Sequence, residues 1–490
     1  MHHGASIRAP PGIGLQCDDC VSTRAARLVG LSFKRCWVVG NCAHNAVNAL
    51  ALRHLAQFRY PITCLPGDPY IYRREVYCEL REYYCEAYQQ GSWRKGKSLA
   101  RQDAIQDSLD WDEPEPAKAL AHIKTQVELM YPKKGRVIQA FHKPADNYSL
   151  ADHYRAFTEA LVHFTSIPRL HFGMHVHVRS ACGLNHSEIA SQVNDWLAEL
   201  SGDLYHIFMD DVTNMDGSIQ MPHLDLQAEL YQALHPPLAC ELRASAVYKG
   251  LVRTREGTVY YTARATVRSG AQDTSSGQTT RRIDMFVRAC SALHVRSVRA
   301  FVFGDDIIAF LQGGPSDPSC FDAAHSTMGL ACKAVYVQDI CQADFLSCAF
   351  VPAHDGSYAL LPKIGRLLAK LFWTWRDVPR RRLASYVRQV AEAFLPRYQG
   401  CDFLQLWLSK HMLIPDRLFT GQLPLTQDPY PVPLDWQAFF ARRYGLPMPP
   451  QDLLALIRNL APGTIAILHH DWTRAVQEFD LADPLDRQAT

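Results

Sequence analysis

Two stretches decide the fold, FMDDVTNMDGSI at 208–219 and FVFGDDIIAF at 301–310. Each begins as an apolar run that meets acids at once, the composition of a buried strand reaching a polar edge. The first continues the strand candidate LYHIFM, 204–209, and carries Asp211 and Asp216 with four residues between them. The second continues VRAFVF, 298–303, passes through Gly304, Asp305 and Asp306, and resumes as IIAF. Gly304 at the bend of a β-hairpin would project Asp305 from a rigid edge. A neighbouring strand ending at Asp211 would set its carboxylate beside Asp305, 94 residues further along the chain. Carboxylates that close repel each other and need cations, the arrangement that binds a pair of magnesium ions. Two ions about 3.5–4 Å apart stabilise both the attacking and the leaving oxygen of a phosphoryl transfer. Taken singly, each stretch reads equally well as an acidic surface turn.

The wider composition bounds the alternatives. The chain has 490 residues, 48% hydrophobic and 20% charged, which excludes a largely disordered polypeptide and predicts two or three subdomains. Lys and Arg number 51 against 49 Asp and Glu, a net charge of +2. That balance argues against a general nucleic-acid coat and permits a basic channel inside a neutral shell. No run reaches the roughly 18 uncharged apolar residues of a membrane span. The start MHHGASIRAPPG lacks the pattern of a signal peptide, so the expectation is a soluble intracellular protein. The 15 cysteines then read mostly as small buried hydrophobes. Cys17, Cys20, Cys36, Cys42 and His44 have spacing that could hold zinc, but a second C-x-x-C knuckle is missing. His171, His175, His177, Cys182 and His186 form a second cluster, with His175 and His177 on one face if the segment is a strand.

Along the chain, 40–58 has helical spacing, DWDEPEPAK at 110–118 reads as a linker, and 148–200 alternates helix, short apolar segment and helix. Six basic residues against Glu256 alone mark 243–268 as a basic span. Helical periodicity dominates 364–415, and seven prolines between 424 and 450 break the chain before a last helix near 451–460. The result is a mixed α+β protein.

Between the two acidic stretches lies RSGAQDTSSGQTTRR, 268–282, where Ser269 and Gly270 open a loop, Thr274 follows, and a helix begins near Ser275 or Ser276. Such a loop can set hydroxyls and backbone donors against a ribose, or serve as a plain linker. Upstream, YPKKGRVIQAFHK carries Lys133, Lys134 and Arg136, which could neutralise a triphosphate. Downstream come KAVYVQDI, beginning at Lys333, and FLSCAFVP, 345–352.

In this order the segments resemble the RNA-dependent RNA polymerases of positive-strand RNA viruses, nearest to the nodavirus and tombusvirus-like group. YPKKGRVIQ looks like motif F, DVTNMD like motif A, SGAQDTSSGQ like motif B and FGDDI like motif C. KAVYVQDI falls at motif D and FLSCAFVP looks like the primer-grip hairpin of motif E. The resemblance implies a right-hand fold: fingers over 1–203, palm over 204–224 and 262–370 on an antiparallel sheet, a fingers insertion at 225–261, and a helical thumb with C-terminal tail over 371–490. It implies RNA synthesis from ribonucleoside triphosphates on an RNA template. Asp211, Asp305 and Asp306 would bind two magnesium ions, for which manganese can substitute. Asp216 would sense the ribose 2′-hydroxyl, with Ser269, Gly270, Thr274 and Gln278 around the nucleotide. Lys133, Lys134 and Arg136 would meet the triphosphate, and Lys333 would be the general acid for pyrophosphate.

Motif B in this group ends on Asn where this chain has Gln278, so a partnership with Asp216 must be re-aimed or is lost. GSWRKGKS, 91–98, is a basic loop and a candidate motif G, while Arg380, Arg381 and Arg382 could grip a duplex through its phosphates. The implied partners are template and product RNA and other viral replication proteins, at membrane-associated complexes in the host cytoplasm. A reverse transcriptase is the less apt relative, because Gly304 precedes the paired acids and Asp216 stands where a bulky residue would exclude ribonucleotides. A non-catalytic RNA-binding scaffold is the other reading, and it would be favoured by loss of an essential acid.

Overall fold

A computed structural model describes residues 6–9, 21–29, 32–39, 43, 47, 61–91, 119–123, 138–142, 150–254, 256–265, 267, 273–370, 373–374, 383–413, 431–462 and 466–482. Of the helix expected at 40–58 only Ala43 and Val47 are described, both helical, while the linker 110–118, the triplet Arg380–Arg382 and all of GSWRKGKS after Gly91 lie outside these residues.

At the centre stand six strands: β1 (Arg169–His171), β2 (Met174–Ser180), β3 (His206–Val212), β4 (Val295–Phe303), β5 (Asp306–Gly313) and β6 (Cys332–Val337). They form one sheet in the order β6-β3-β5-β4-β2-β1. β3 pairs antiparallel with both β5 and β6, and β4 with β5. Within the bounds 204–224 and 262–370 the pairing is antiparallel as expected, but the whole sheet is mixed, since β2 joins β4 in parallel. Helix α3 (His186–Glu199) explains it: a crossover between β2 and β3 leaves the two strands running the same way. Helix α5 (Thr274–Ala292) likewise connects β3 to β4, and α6 (Ser319–Thr327) connects β5 to β6. Strands β3, β4, β5 and β6 with these two helices therefore follow a β-α-β-β-α-β order.

Alternation along the strands buries both faces of the sheet. Phe208, Val302, Ile307, Ala309 and Ala334 pack into one core with α2 (Ala151–Ser166) and α5. Ile207, Met209, Phe301, Ile308, Phe310 and Val335 pack into a second core around Trp196 of α3. The strand expected at 204–209 starts at His206, leaving Leu204 93% exposed, and runs on through both acids to Val212.

Helix α5 is buried continuously from Ser276 to Cys290 although four of those residues are charged: Arg281, Arg282, Asp284 and Arg288. Burial on every side suits an internal helix, and each charge then needs a partner. Asp284 accepts hydrogen bonds from the backbone N–H of Tyr70 (2.7 Å) and Ile71 (2.8 Å) through Oδ1, and from Arg288 Nε (2.7 Å) through Oδ2. Segment 67–72 is thus tied to the middle of the molecule through one carboxylate.

Beyond β6, the strands β7 (Asp344–Phe345), β8 (Cys348–Pro352) and β9 (Tyr358–Pro362) form an antiparallel sheet of their own. The β7–β8 turn is Leu346–Ser347, both with positive φ (52° and 63°), a left-handed pair made without glycine and therefore strained. Helices α7 (Ile364–Lys370), α8 (Leu383–Phe394), α9 (Asp402–Met412), α10 (Trp436–Tyr444), α11 (Gln451–Asn459) and α12 (Asp471–Leu481) share a third core with residues of β8 and β9. The proline-rich stretch does not stay broken until residue 451, as the sequence suggests. Asp435 caps α10 by accepting from Ala438 N–H (2.9 Å), and Gly445 ends it in the left-handed region (φ 64°). The prolines flank that helix and leave its interior intact. No helix among the described residues is long and apolar enough to cross a membrane.

α12 is locked to α7 at Gly365. A Cβ there would lie 2.1 Å from Val476 O, while Gly365 N–H donates to Asp480 Oδ2 (2.7 Å). Gly365→Ala is expected to cost about 2–4 kcal/mol by forcing backbone from backbone. A thermal unfolding scan would register the loss, and an unchanged midpoint would contradict the packing.

Candidate active site

Strand geometry gives the adjacent acids of β3 opposite fates. Asp210 points to the face of Ala334 and the α5 core, whereas Asp211 points to the other face and is exposed. On the buried side, Asp210 Oδ2 meets Arg282 Nη2 of α5, and neither side chain reaches solvent. Burial pushes the Asp210 carboxyl upward and the guanidinium beside it opposes that rise. His325 and Cys332 complete a buried group with Asp210 whose ligand-type atoms would suit a metal. The guanidinium of Arg282 already supplies positive charge there, coupled to Asp210, Cys332 and His325 alike, so the group reads as a buried ion pair with two neutral neighbours.

On the open side, Lys333 of β6 is the cross-strand partner of Asp211. Ile307 pairs with Asp210, so one further step along the register brings Asp306 opposite Asp211. Gly304 (φ 61°) and Asp305 form the two-residue turn between β4 and β5, as expected, and Asp305 is exposed at its tip. Burial first, and then the charges of Asp305 and Asp211, push the Asp306 carboxyl up to about 7, with Lys363 pulling the other way. Asp211 on β3 and Asp305 in the turn therefore both act on Asp306, at one end of the paired strands.

A cleft of about 200 Å³ opens here, lined by Asp211, Asp306, Lys333, Asp344, Lys363 and Arg366 together with the strained turn Leu346–Ser347. Strain of that kind concentrates at functional sites. Lys363 is anchored by Asp344 Oδ2 (2.8 Å), and the same carboxylate accepts from Arg443 Nη2 through Oδ1 (2.7 Å). The sequence reading missed Asp344, Lys363, Arg366 and the role of Asp210. Each of them carries an ordinary residue type with no spacing signature, and only the fold brings them together.

Helix α5 supplies the next layer. It begins at Thr274, slightly before the predicted start, and Thr274 lies one turn ahead of Gln278. Gln278 Nε2 donates to Asp216 Oδ1 at 2.9 Å, so the partnership that the longer side chain put in question is made. Thr279 Oγ1 accepts from the backbone N–H of Gly304 at 2.9 Å, tying the acidic turn to the same helix. Ser269, Gly270, Lys133, Lys134 and Arg136 lie outside the described residues, as do Cys17, Cys20, Cys42 and His44 and the side chain of Cys36.

The histidine cluster does not converge. His177 accepts from Trp196 Nε1 (3.0 Å) through Nδ1, and its Nε2 lies 3.1 Å from Ser166 O. Burial holds it down at about 4. His171 Nε2 faces Asp68 O at 3.3 Å, and His186 faces Cys348. Each is taken by a separate neighbour. No protein-family model matches this chain, and no curated protein matches it.

Two expectations follow. A carboxyl raised in the folded state binds its proton more tightly there, so its contribution to stability is full at low pH and is lost as pH climbs to about 7. Relative to Asp306→Asn, the native protein should lose roughly 2–4 kcal/mol between about pH 4 and 7 in urea unfolding. Asp210→Ala strands a buried guanidinium and should cost about 3–5 kcal/mol, whereas exposed Asp211→Ala should leave stability nearly unchanged.

Proposed function

We propose that this chain is an RNA-directed RNA polymerase, a nucleotidyltransferase that copies an RNA template from ribonucleoside triphosphates. The observation that carries the reading is the meeting of Asp211, Asp305 and Asp306 at one edge of β3 and β5, with Lys333 opposite Asp211. The β-α-β-β-α-β core would be the palm of a right hand, with fingers mainly from 1–203 and 225–261 and the helices after residue 371 as thumb.

Burial raises Asp306 first and repulsion from Asp305 and Asp211 adds to it, and that repulsion fits a site built for divalent cations. Magnesium, or manganese in its place, would activate the attacking 3′-hydroxyl and neutralise charge on the α-phosphate and pyrophosphate oxygens. Asp211, Asp305 and Asp306 would hold those ions, and their placement on paired strands keeps the carboxylates in fixed relation. Lys333 is positioned beside them to give a proton to the departing pyrophosphate. Asp216, fixed by Gln278, would accept from the ribose 2′-hydroxyl, an arrangement that favours ribonucleotides over the steric exclusion a reverse transcriptase needs. Lys363 and Arg366 also line the cleft and would meet phosphates of the growing strand. Template and product RNA and other viral replication proteins would be the partners, at membrane-associated complexes in the host cytoplasm.

Primer extension on a short RNA hairpin with labelled ribonucleotides and magnesium tests the proposal. Product from the native chain should fall at least about 1000-fold in Asp305→Ala and in Asp211→Ala. Magnesium or manganese should also raise the unfolding midpoint of the native chain near neutral pH, and less so that of Asp306→Asn. Absence of product with either metal, from primed and unprimed templates and with RNA binding intact, would replace this reading with a scaffold.

A further inference from the structure

Gln278 sits between two partners of opposite character on α5. Its Nε2 donates to Asp216 Oδ1 (2.9 Å), and its Oε1 accepts from Arg281 Nε (3.1 Å). Residues 278 and 281 are three apart and share a helix face, so the second contact is local to the helix. The two contacts leave a single orientation for the amide. Turning it over would set Oε1 against a carboxylate oxygen and the NH2 against a guanidinium N–H.

Arg281 is itself fully buried, and Asp273 Oδ2 lies 4.0 Å from its Nη2. The approach is possible because residue 277 is glycine: a Cβ there would stand 2.7 Å from Asp273 Oδ2 and 3.2 Å from Arg281 Nη2. Among the described residues Nη1 and Nη2 of Arg281 have no hydrogen-bond acceptor, so the hydrogen bond that Arg281 makes with its side chain is spent on Gln278.

We infer that Arg281 is a positioning residue for sugar selection, acting through Gln278 to aim the Asp216 carboxylate at the 2′-hydroxyl of the incoming nucleotide. The inference rests on the polymerase reading and extends it to a residue that touches neither nucleotide nor cation. Its physical basis is the extra methylene of glutamine. A longer side chain has one more rotor to lose, and a charged donor on its carbonyl holds that rotor in the orientation that serves Asp216. A deoxynucleotide has no 2′-hydroxyl to offer, so discrimination depends on how well the carboxylate is aimed.

The test is the ratio of kcat/KM for a ribonucleotide to that for its 2′-deoxy analogue in primer extension, measured on one preparation so that any inactive fraction cancels. Arg281→Met should lower this ratio about tenfold, the equivalent of one charge-assisted hydrogen bond. Gln278→Ala should lower it comparably, and the double variant no further than either alone. A ratio within twofold of the native value in Arg281→Met, or independent losses that multiply in the double variant, would overturn the inference. Should Arg281→Met yield no folded protein, Arg281→Lys, which keeps the charge and loses the Nε donor, is judged by the same two criteria. A native chain that makes no RNA would instead sink the polymerase reading, and ribonucleotide product with an unmoved ratio sinks this inference alone.

Discussion

The alternation of side chains along β3 is the constraint on which the rest depends. Two aspartates in sequence cannot share a face of a strand, so Asp210 and Asp211 must meet different surroundings. Inside, Asp210 finds Arg282 and closes the sheet onto α5. Outside, Asp211 finds Lys333 across the strand pair and Asp306 at the next step of the register. A shift of one residue in that register would exchange the two, burying the acid that has a lysine partner and exposing the one that has an arginine. The buried ion pair ties β3 to α5, and removing either member alone would strand a buried charge.

Helix α5 carries the same logic outward. Its apolar positions pack into a single core, and its buried polar side chains each take a particular neighbour. Asp284 takes the backbone of 70–71, Arg282 takes Asp210, and Thr279 takes the N–H of Gly304. Through these contacts one helix sets the height of the acidic turn, the rotation of β3 and the course of the chain entering α1 (Arg74–Gln90). Gln278 projects from this well-fixed helix, which helps hold its hydrogen bond to Asp216.

Much of this was legible in the sequence, and the limits are physical. Apolar runs broken by acids located β3, β4 and β5, because strands buried on both faces read as continuous hydrophobic segments. Gly304 gave the turn, since a tight hairpin needs a residue free to adopt positive φ. The turn of Leu346 and Ser347 carries no such signal, because it is made from residues that adopt positive φ only under strain. The burial of Arg281 and Arg282 was equally hidden: nothing in TTRR marks them as internal until the surrounding sheet and its carboxylates exist. Charged residues inside a helix are ambiguous in one dimension, since their partners come from elsewhere in the chain.

The cleft's basic wall shows how distant chain reaches the acids. Lys363 does not stand alone; Asp344 holds it, Arg443 holds Asp344, and Asp480 of α12 holds Arg443 through Nη2 (2.6 Å). Asp480 also receives the N–H of Gly365 and the hydroxyl of Tyr444 (2.9 Å) through its other oxygen. Every member of this series is buried or nearly so, where a charge without its partner is costly. Lys363 in turn pulls down the carboxyl of Asp306, opposing the rise that burial and the neighbouring acids impose. The C-terminal helix thus bears on the electrostatics of the acidic edge without approaching it. Displacing α12 would remove Asp480, the buried acceptor of Arg443, and with it the support of the guanidinium that holds Asp344 against Lys363. In that sense the last helix of the described chain is a support of the site and not an appendage to it.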